Sequence, residues 1–291
     1  MENNAILSAL SARKSVRVFT TDPVTPDERA AILNAAFQAP TAGNQQLYTI
    51  LDITDPALKA TLADLCDHQP FIAGAPLVLV FLADCRRWLN AYHAAGITDA
   101  RKPGAGDLML AVADTCIAAQ NAVVAAESFG IGSCYIGDIM ENCETQRSLL
   151  HLPDYVFPAV MLVFGWPTQQ QKDRPKPQRC AMEHIVHENG YRTMDGAELR
   201  DTFGYKAGNA PFEQWCTAFC NRKYASDFSQ EMTRSAEIYW KEFVYPFVGG
   251  FPIYHFFDLH LAYQLSLFFV SCELEINQLS QNICRKIESS K

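Results

Sequence analysis

Three stretches of the chain alternate or saturate with apolar residues over strand lengths, and they are separated by segments with helical spacing. Pro76-Leu77-Val78-Leu79-Val80-Phe81-Leu82-Ala83 is almost wholly apolar and carries the strand-favouring Val78, Val80 and Phe81, the pattern of a strand buried on both faces. Ala159 to Phe164, closed by Gly165-Trp166-Pro167, reads the same way, and Leu47 to Ile53 predicts a further strand after the small-residue loop Thr41-Ala42-Gly43-Asn44. Thr25-Pro26-Asp27-Glu28 has the form of a capping box with proline in the first turn. Ile32, Leu33, Ala36 and Phe37 follow at helical spacing, so a helix is expected to end before Pro40. The strongest helical signal runs from Asp107 to Phe129 with Gly130 as its stop, long enough to span about 35 Å. Along it Ala111, Thr115, Ala118, Ala122 and Ala125 form a small-residue seam. Such a seam fits a homodimer contact or a close helix pair within the chain. Glu213 to Phe243 is again helical in pattern.

After Phe243 the character changes. From there to Cys272 the chain has many aromatics, Asp258 as its one acid, and no lysine or arginine. Prolines, glycines and two histidines interrupt it before it reaches the eighteen apolar residues of a spanning helix. Residues 244–291 therefore read as an atypical tail beyond a domain of residues 1–243, and membrane contact by the tail stays open. Of the 291 residues 49% are hydrophobic and 19% charged, which marks a globular chain with ample core material. The net charge of −8 disfavours a broad electrostatic hold on nucleic acid, so any anion must be met locally. Met1 to Leu10 lacks the basic and apolar regions of a secretory signal, and the ten cysteines are too dispersed for a disulfide scaffold. A cytoplasmic protein with reduced thiols is the expectation.

In an acidic protein, local clusters of cations are informative. Arg13-Lys14-Ser15-Val16-Arg17 offers three cations and a hydroxyl just after a predicted helix, and Arg174-Pro175-Lys176-Pro177-Gln178-Arg179 presents three more on a proline-stiffened loop. Guanidinium, ammonium and hydroxyl donors suit phosphate oxygens, although either cluster alone also fits a solvated loop. Gly130-Ile131-Gly132-Ser133-Cys134-Tyr135-Ile136-Gly137 is not a dinucleotide-fold fingerprint. Tyr135 stands where the third glycine belongs, and a helix comes first where a strand is needed. The glycines would let the backbone pass close to something flat, or simply form a helix exit. His184 and His187 lack a third ligand for a metal site, and no GxSxG elbow or Walker lysine motif occurs.

In their order along the chain, several short motifs together resemble the nitroreductase family of FMN enzymes, in particular its NADPH-dependent, oxygen-insensitive nitroreductases and flavin reductases. They are Arg13-Lys14-Ser15-Val16-Arg17-Val18-Phe19, Ala39-Pro40-Thr41-Ala42-Gly43-Asn44-Gln45-Gln46, Asp114-Thr115 with Ala119-Gln120-Asn121-Ala122, Tyr135-Ile136-Gly137, Gly165-Trp166-Pro167 and Val186-His187-Glu188-Asn189. The resemblance covers about Ala5 to Phe243. It implies an α+β fold with a central mixed β-sheet wrapped by helices, dimeric around the long central helix, with FMN at the dimer interface.

Carried over residue by residue, Arg13, Lys14 and Ser15 would hold the FMN phosphate and ribityl chain from one side, and Lys176 and Arg179 from the other. Arg17 would lie near the pyrimidine edge, where a cation stabilises the charge of the reduced ring. Thr41, Asn44, Gln46 and Gln69 would approach the ring or ribityl. Tyr135, Ile136 and Gly137 would face it, with the Gly137 amide at the N5 or O4 edge. Arg222, with Lys223, would meet the phosphate of the nicotinamide cofactor or an anionic substrate. Gln178 interrupts the contiguous lysine, proline and arginine of the family's second basic loop. The implied activity is a ping-pong, two-electron NADPH or NADH oxidoreductase with small-molecule acceptors such as nitroaromatics, quinones or flavins. Alternatives are a narrower reaction on the same fold, such as reductive dehalogenation or flavin-dependent oxidation, or a flavin-binding module whose tail recruits a partner.

Overall fold

The computed structural model describes residues 4–244. The chain divides into a unit Met1–Trp240 and a unit Lys241–Lys291. The expectation for the tail 244–291 falls, past its first residue, outside the described residues. The helices are α1 Ala5–Ala12, α2 Pro26–Phe37, α3 Pro56–Leu65, α4 Pro70–Ala73, α5 Arg86–Ala94, α6 Ala105–Ser128, α7 Cys143–Leu149, α8 Gln169–Asp173, α9 Gly196–Gly204, α10 Phe212–Lys223 and α11 Asp227–Val244. The strands are β1 Tyr48–Asp52, β2 Leu77–Asp84, β3 Gly132–Ile136 and β4 Val156–Gly165.

The four strands form one sheet in the order β1-β2-β4-β3, and every strand pair is antiparallel. The mixed sheet expected from the resemblance is thus not what these strands form. Among the described residues the parallel element is an isolated bridge between Ser15 and Ser133. β2 and β4 occupy the centre, as their unbroken apolar runs require, because both faces of the sheet are covered. On one face Val78, Val80, Leu82, Met161 and Val163 pack with Leu62, Ala63 and Ile72 of α3 and α4. On the other, Leu79, Phe81, Val160, Leu162 and Phe164 pack with Ile32 and Ala36 of α2 and with α6. Pro158 lies inside the central strand β4 without a donor, and the register slips beside it, between Phe81 and Leu82, as a local irregularity that tolerates the missing hydrogen bond.

The capping box at Thr25 is formed in both directions, with the Thr25 amide donating to Glu28 Oε2 at 2.8 Å and the Glu28 amide donating to Thr25 Oγ1 at 3.3 Å. α6 ends where Gly130 adopts φ +82°, a left-handed conformation that costs glycine least. The exit at Gly130 is immediate, and the segment that follows, Gly132–Ile136, forms the edge strand β3. The long helical pattern from Glu213 is broken at Tyr224 into α10 and α11.

The seam on α6 resolves in favour of the intrachain reading. Ala111, Thr115, Ala118 and Ala122 are fully buried, with Ala118 and Ala122 packed against α2 and the sheet. Their small size lets α2 and the sheet come close, and of the seam residues Ala125 alone is only half-buried. The opposite face of α6 carries Met109, Leu110, Cys116 and Ile117, all exposed, at a spacing of one, seven and eight residues. A helix apolar on both faces is normally buried on both.

Candidate functional site

The N-terminal segment after α1 is laid along β3 by two close approaches that only glycine allows. A Cβ at Gly132 would stand 2.5 Å from Val16 Cγ2, and one at Gly165 would stand 2.7 Å from the Phe19 ring. Val16 donates its amide to Ser133 O at 2.9 Å, and Thr20 donates to Trp166 O at 2.8 Å. Arg13, Lys14, Ser15 and Arg17 are therefore held in a row beside β3 by the packing of Val16 and Phe19.

The second basic loop docks onto that row. Lys14 Nζ donates to Lys172 O at 2.6 Å and to Arg174 O, and the Arg174 guanidinium returns a bond to Ser15 O. Lys176 Nζ donates to Leu10 O at 3.1 Å and Ser11 O at 2.7 Å, where it closes the last carbonyls of α1. The Arg17 amide reaches the side chain of Gln171, on α8, at 3.4 Å. Two clusters some 160 residues apart in sequence thus meet in one cradle, with Lys14 and Arg174 the bonded pair, but the division of labour differs from the expectation. Lys14 and Lys176 each spend two of their three donors on backbone carbonyls and so brace the loops, with one donor apiece left for an anion. Arg174, which carried no assigned role, is the guanidinium that ties them together.

Arg13 Nη1 is buried and has no hydrogen-bond partner, as does Arg174 Nε. Orphaned guanidinium donors in a basic cradle are what a bound phosphate would satisfy. Glu127, on α6, feels Arg13, Lys14 and Lys176, although burial is the stronger influence and raises its pKa.

Arg179 separates from this group. It is exposed and lines a cavity of about 700 Å³ with Lys206, Arg222, Phe203, Trp215 and Phe219. The Arg222 guanidinium lies 5.2 Å from the centre of the Phe219 ring, and Lys223 Nζ lies 5.4 Å from that of Phe228. The interposed Gln178 accompanies this shift of Arg179 toward Arg222.

At the far end of β3, Tyr135 and Ile136 point to opposite faces, as consecutive strand residues must. Tyr135 turns toward α6 and donates its hydroxyl to Gln120 Oε1 at 3.1 Å. Burial pushes its pKa up to about 12, which keeps the phenol protonated. Ile136 is buried in the core, so its side chain cannot face a ligand together with Tyr135, and only backbone is on offer there. A Cβ placed on Gly137 would meet only the flexible end of Met140, Cε at 3.8 Å in ordinary contact, so the backbone there is approachable. Beside it Gln69 Nε2 donates to Cys66 O at 2.8 Å and to Asp138 Oδ2 at 2.5 Å.

The loop with Thr41, Asn44 and Gln46 lies elsewhere. Gly43, Asn44 and Gln46 have positive φ, and the tight turn is pinned by Asp114, a buried acid of α6. Asp114 accepts from the amides of Ala42 at 2.9 Å and Leu47 at 3.4 Å, while Thr41 Oγ1 accepts from the Gln46 amide at 3.2 Å. The side chains of Asn44 and Gln46 make no hydrogen bonds among the described residues. This loop leads into β1, the edge opposite β3, and thirteen residues or about 20 Å of helix rise separate Asp114 from Glu127. Within one chain the loop does not join the basic cradle. Asp114 went unassigned from the sequence, although a lone carboxylate on the buried face of an alanine-rich helix is the available signal.

A family model described as the nitroreductase family matches residues 10–166, more than half of the chain. The chain belongs to the nitroreductase family. The match spans the N-terminal basic segment, the Asp114-anchored loop, β3 with Gly137, and the Gly165 contact. Among related proteins, an oxygen-insensitive NADPH nitroreductase of Salmonella typhimurium is 39% identical over 189 residues, covering 65% of this chain and 75% of the relative. An FMN reductase [NAD(P)H] of Bacillus subtilis is 28% identical over 250 residues, covering 84% and 94%. The solved NADPH:FMN oxidoreductase of Vibrio harveyi in complex with NAD+ superposes with a TM-score of 0.69 at 26% identity, covering 81% of this chain and 98% of that one. The nitroreductase fold is shared across nearly the whole length of that solved structure.

Proposed function

We propose that this chain is an FMN-dependent NAD(P)H oxidoreductase that works as a homodimer and reduces small acceptors such as nitroaromatics, quinones or free flavins. The observation that carries the reading is the docking of the 172–176 loop onto Arg13–Ser15, which leaves a buried Arg13 donor unsatisfied in a basic cradle. The names of the relatives agree with it.

FMN, when bound, supplies hydride transfer between a nicotinamide and an acceptor. The residues here supply placement and charge. Arg13, Ser15 and the remaining donors of Lys14 and Lys176 hold the phosphate. Arg17, exposed beside β3, sets a cation near the ring, where it favours negative charge on the pyrimidine edge. Gly137 admits the ring edge to the backbone at the end of β3, and Tyr135, held protonated against Gln120, closes the α6 side.

A two-fold dimer through the exposed stripe of α6 explains two features at once. It covers Met109, Leu110 and Ile117, which are 51%, 49% and 41% exposed. It also lets the Thr41–Gln46 loop of the partner subunit reach a flavin held by this chain's Arg13, a reach that the 20 Å or so along α6 denies to the chain's own loop. The eight described cysteines are free thiols, in keeping with a cytoplasmic setting.

The cavity at Arg222 serves the nicotinamide cofactor. Steady-state oxidation of NADPH and NADH with a quinone acceptor tests function and assignment together. The full-length protein is expected to turn over both donors, and Arg222→Ala to raise KM for NADPH by about tenfold, as the loss of one charge-assisted contact of about 1.5 kcal/mol implies, with little change for NADH. No turnover with either donor would contradict the function. An equal effect on both would contradict the role of Arg222.

A further inference from the structure

We propose that Cys216 and Cys220 form a two-thiol chelate for a soft, thiophilic centre, of which a trivalent arsenical carrying one organic substituent is the best-fitting kind. The site lies on α10, outside the cavity that carries Arg222, and does not depend on the FMN reading. Packing does not account for these two residues. Both thiols are exposed on α10, four residues and so about one helical turn apart. They line one cavity of about 490 Å³, which Leu199 and Arg200 of α9 close from one side and Phe212 and Glu213 close at the start of α10. Neither thiol is spent on a disulfide or, among the described residues, on a hydrogen bond. Cys66, Cys85, Cys134 and Cys143 are buried instead.

The donors in this cavity decide what it can hold. Glu213 is the acid of its wall, and the Arg200 guanidinium already binds that carboxylate at 2.8 and 3.1 Å. Thr217 turns its hydroxyl back onto Glu213 O at 2.9 Å, and no histidine lines the cavity. Two sulfurs beside an apolar surface remain. Such a set is too soft for magnesium or calcium, and it is two ligands short of the four that close a structural zinc site. A trivalent arsenic that already holds one carbon substituent needs two further bonds. The two thiols supply both, and Leu199 and Phe212 offer the substituent an apolar wall.

The spacing favours a chelate over a disulfide. Residues on adjacent turns of a helix hold their Cβ atoms about 5–6 Å apart. A direct sulfur–sulfur bond needs them at roughly 3.5–4.5 Å. Bonds of roughly 2.3 Å to one shared centre set two sulfurs about 3.5–4 Å apart, which side chains leaning toward each other from adjacent turns can reach. The thiols therefore stay reduced and available. With an aryl arsine oxide the step is a condensation: each thiol gives up its proton, two As–S bonds replace the bonds to oxygen, one water leaves, and arsenic stays trivalent.

The test treats the reduced full-length protein with phenylarsine oxide, then with iodoacetamide, and maps the alkylated cysteines by peptide mass. One equivalent is expected to protect Cys216 and Cys220 together and to leave the exposed Cys116 reactive. Excess dithiothreitol, a dithiol, is expected to restore alkylation of both, whereas excess glutathione, a single thiol, is not. Cys216→Ser and Cys220→Ser are exposed, near-isosteric changes that each break the chelate. In either variant the remaining thiol is expected to need at least about 100-fold more reagent for half-protection, the gain that a second, intramolecular bond confers. Protection of one thiol alone, prior protection of a different pair, release by glutathione, or a single variant that holds the reagent as tightly as the wild type would overturn the proposal.

Discussion

Arg13→Ala is expected to weaken FMN binding by at least about 100-fold while leaving the apoprotein folded. Arg13 sits between α1 and β3 with Nη1 buried and without a partner, so in the absence of an anion its head group contributes little to the fold. A phosphate would take at least two charge-assisted bonds from it, each worth about 1.5–3 kcal/mol, and roughly every 1.4 kcal/mol is tenfold in affinity. The contrast with Lys176→Ala is instructive. Lys176 closes the C-terminal carbonyls of α1, so its removal is expected to lower thermal stability as well as flavin affinity. Flavin titration and thermal unfolding of the two variants separate an anion ligand from a brace. Equal flavin affinity in Arg13→Ala and wild type would remove Arg13 from the cradle.

Ile117→Lys is expected to convert the protein from dimer to monomer and to abolish flavin retention, though residue 117 lies on the far side of α6 from the core. The dimer axis would bring both copies of the substitution into one apolar face, and burying an unpaired ammonium costs several kcal/mol per copy. In the monomer the new ammonium group would simply be solvated, so the fold is expected to survive. Sedimentation velocity together with flavin absorbance checks both parts. A wild type that sediments as a monomer and still holds flavin would contradict the shared site, because the partner's Thr41–Gln46 loop would then be dispensable.

The elements that set the fold were legible in the sequence where one periodicity dominates. The saturated run at Leu77–Asp84, the reciprocal Thr25–Glu28 cap and the long alanine-rich helix with its Gly130 stop all appear as expected. β3 was not legible, because its five residues carry two polar side chains and follow a glycine-rich helix exit; an edge strand this short is specified by Val16 and β4, which are distant in sequence. The α6 seam was legible as a place of close approach, but the sequence left open whether a second subunit or the chain itself fills it. Small residues mark where something comes close, and here α2 and the sheet arrive first, which shifts the open face to the larger Met109, Leu110 and Ile117.

The site was legible as chemistry but not as geometry. Two cationic clusters stood out against a net negative chain, and they do converge. Which cations spend their donors on carbonyls could not be read from residue types, so Lys14 and Lys176 emerge as braces and Arg174 as the tie.

At the centre of the proposed function, two basic loops form a single cradle for a flavin phosphate. Comparing FMN with riboflavin by absorbance titration of the flavin-stripped full-length protein tests it most directly, since the two ligands differ only in that phosphate. The expected result is stoichiometric uptake of FMN and an affinity for riboflavin at least about 100-fold weaker, in line with two or more lost charge-assisted bonds. Equal affinities, or no uptake of FMN at all, would contradict it.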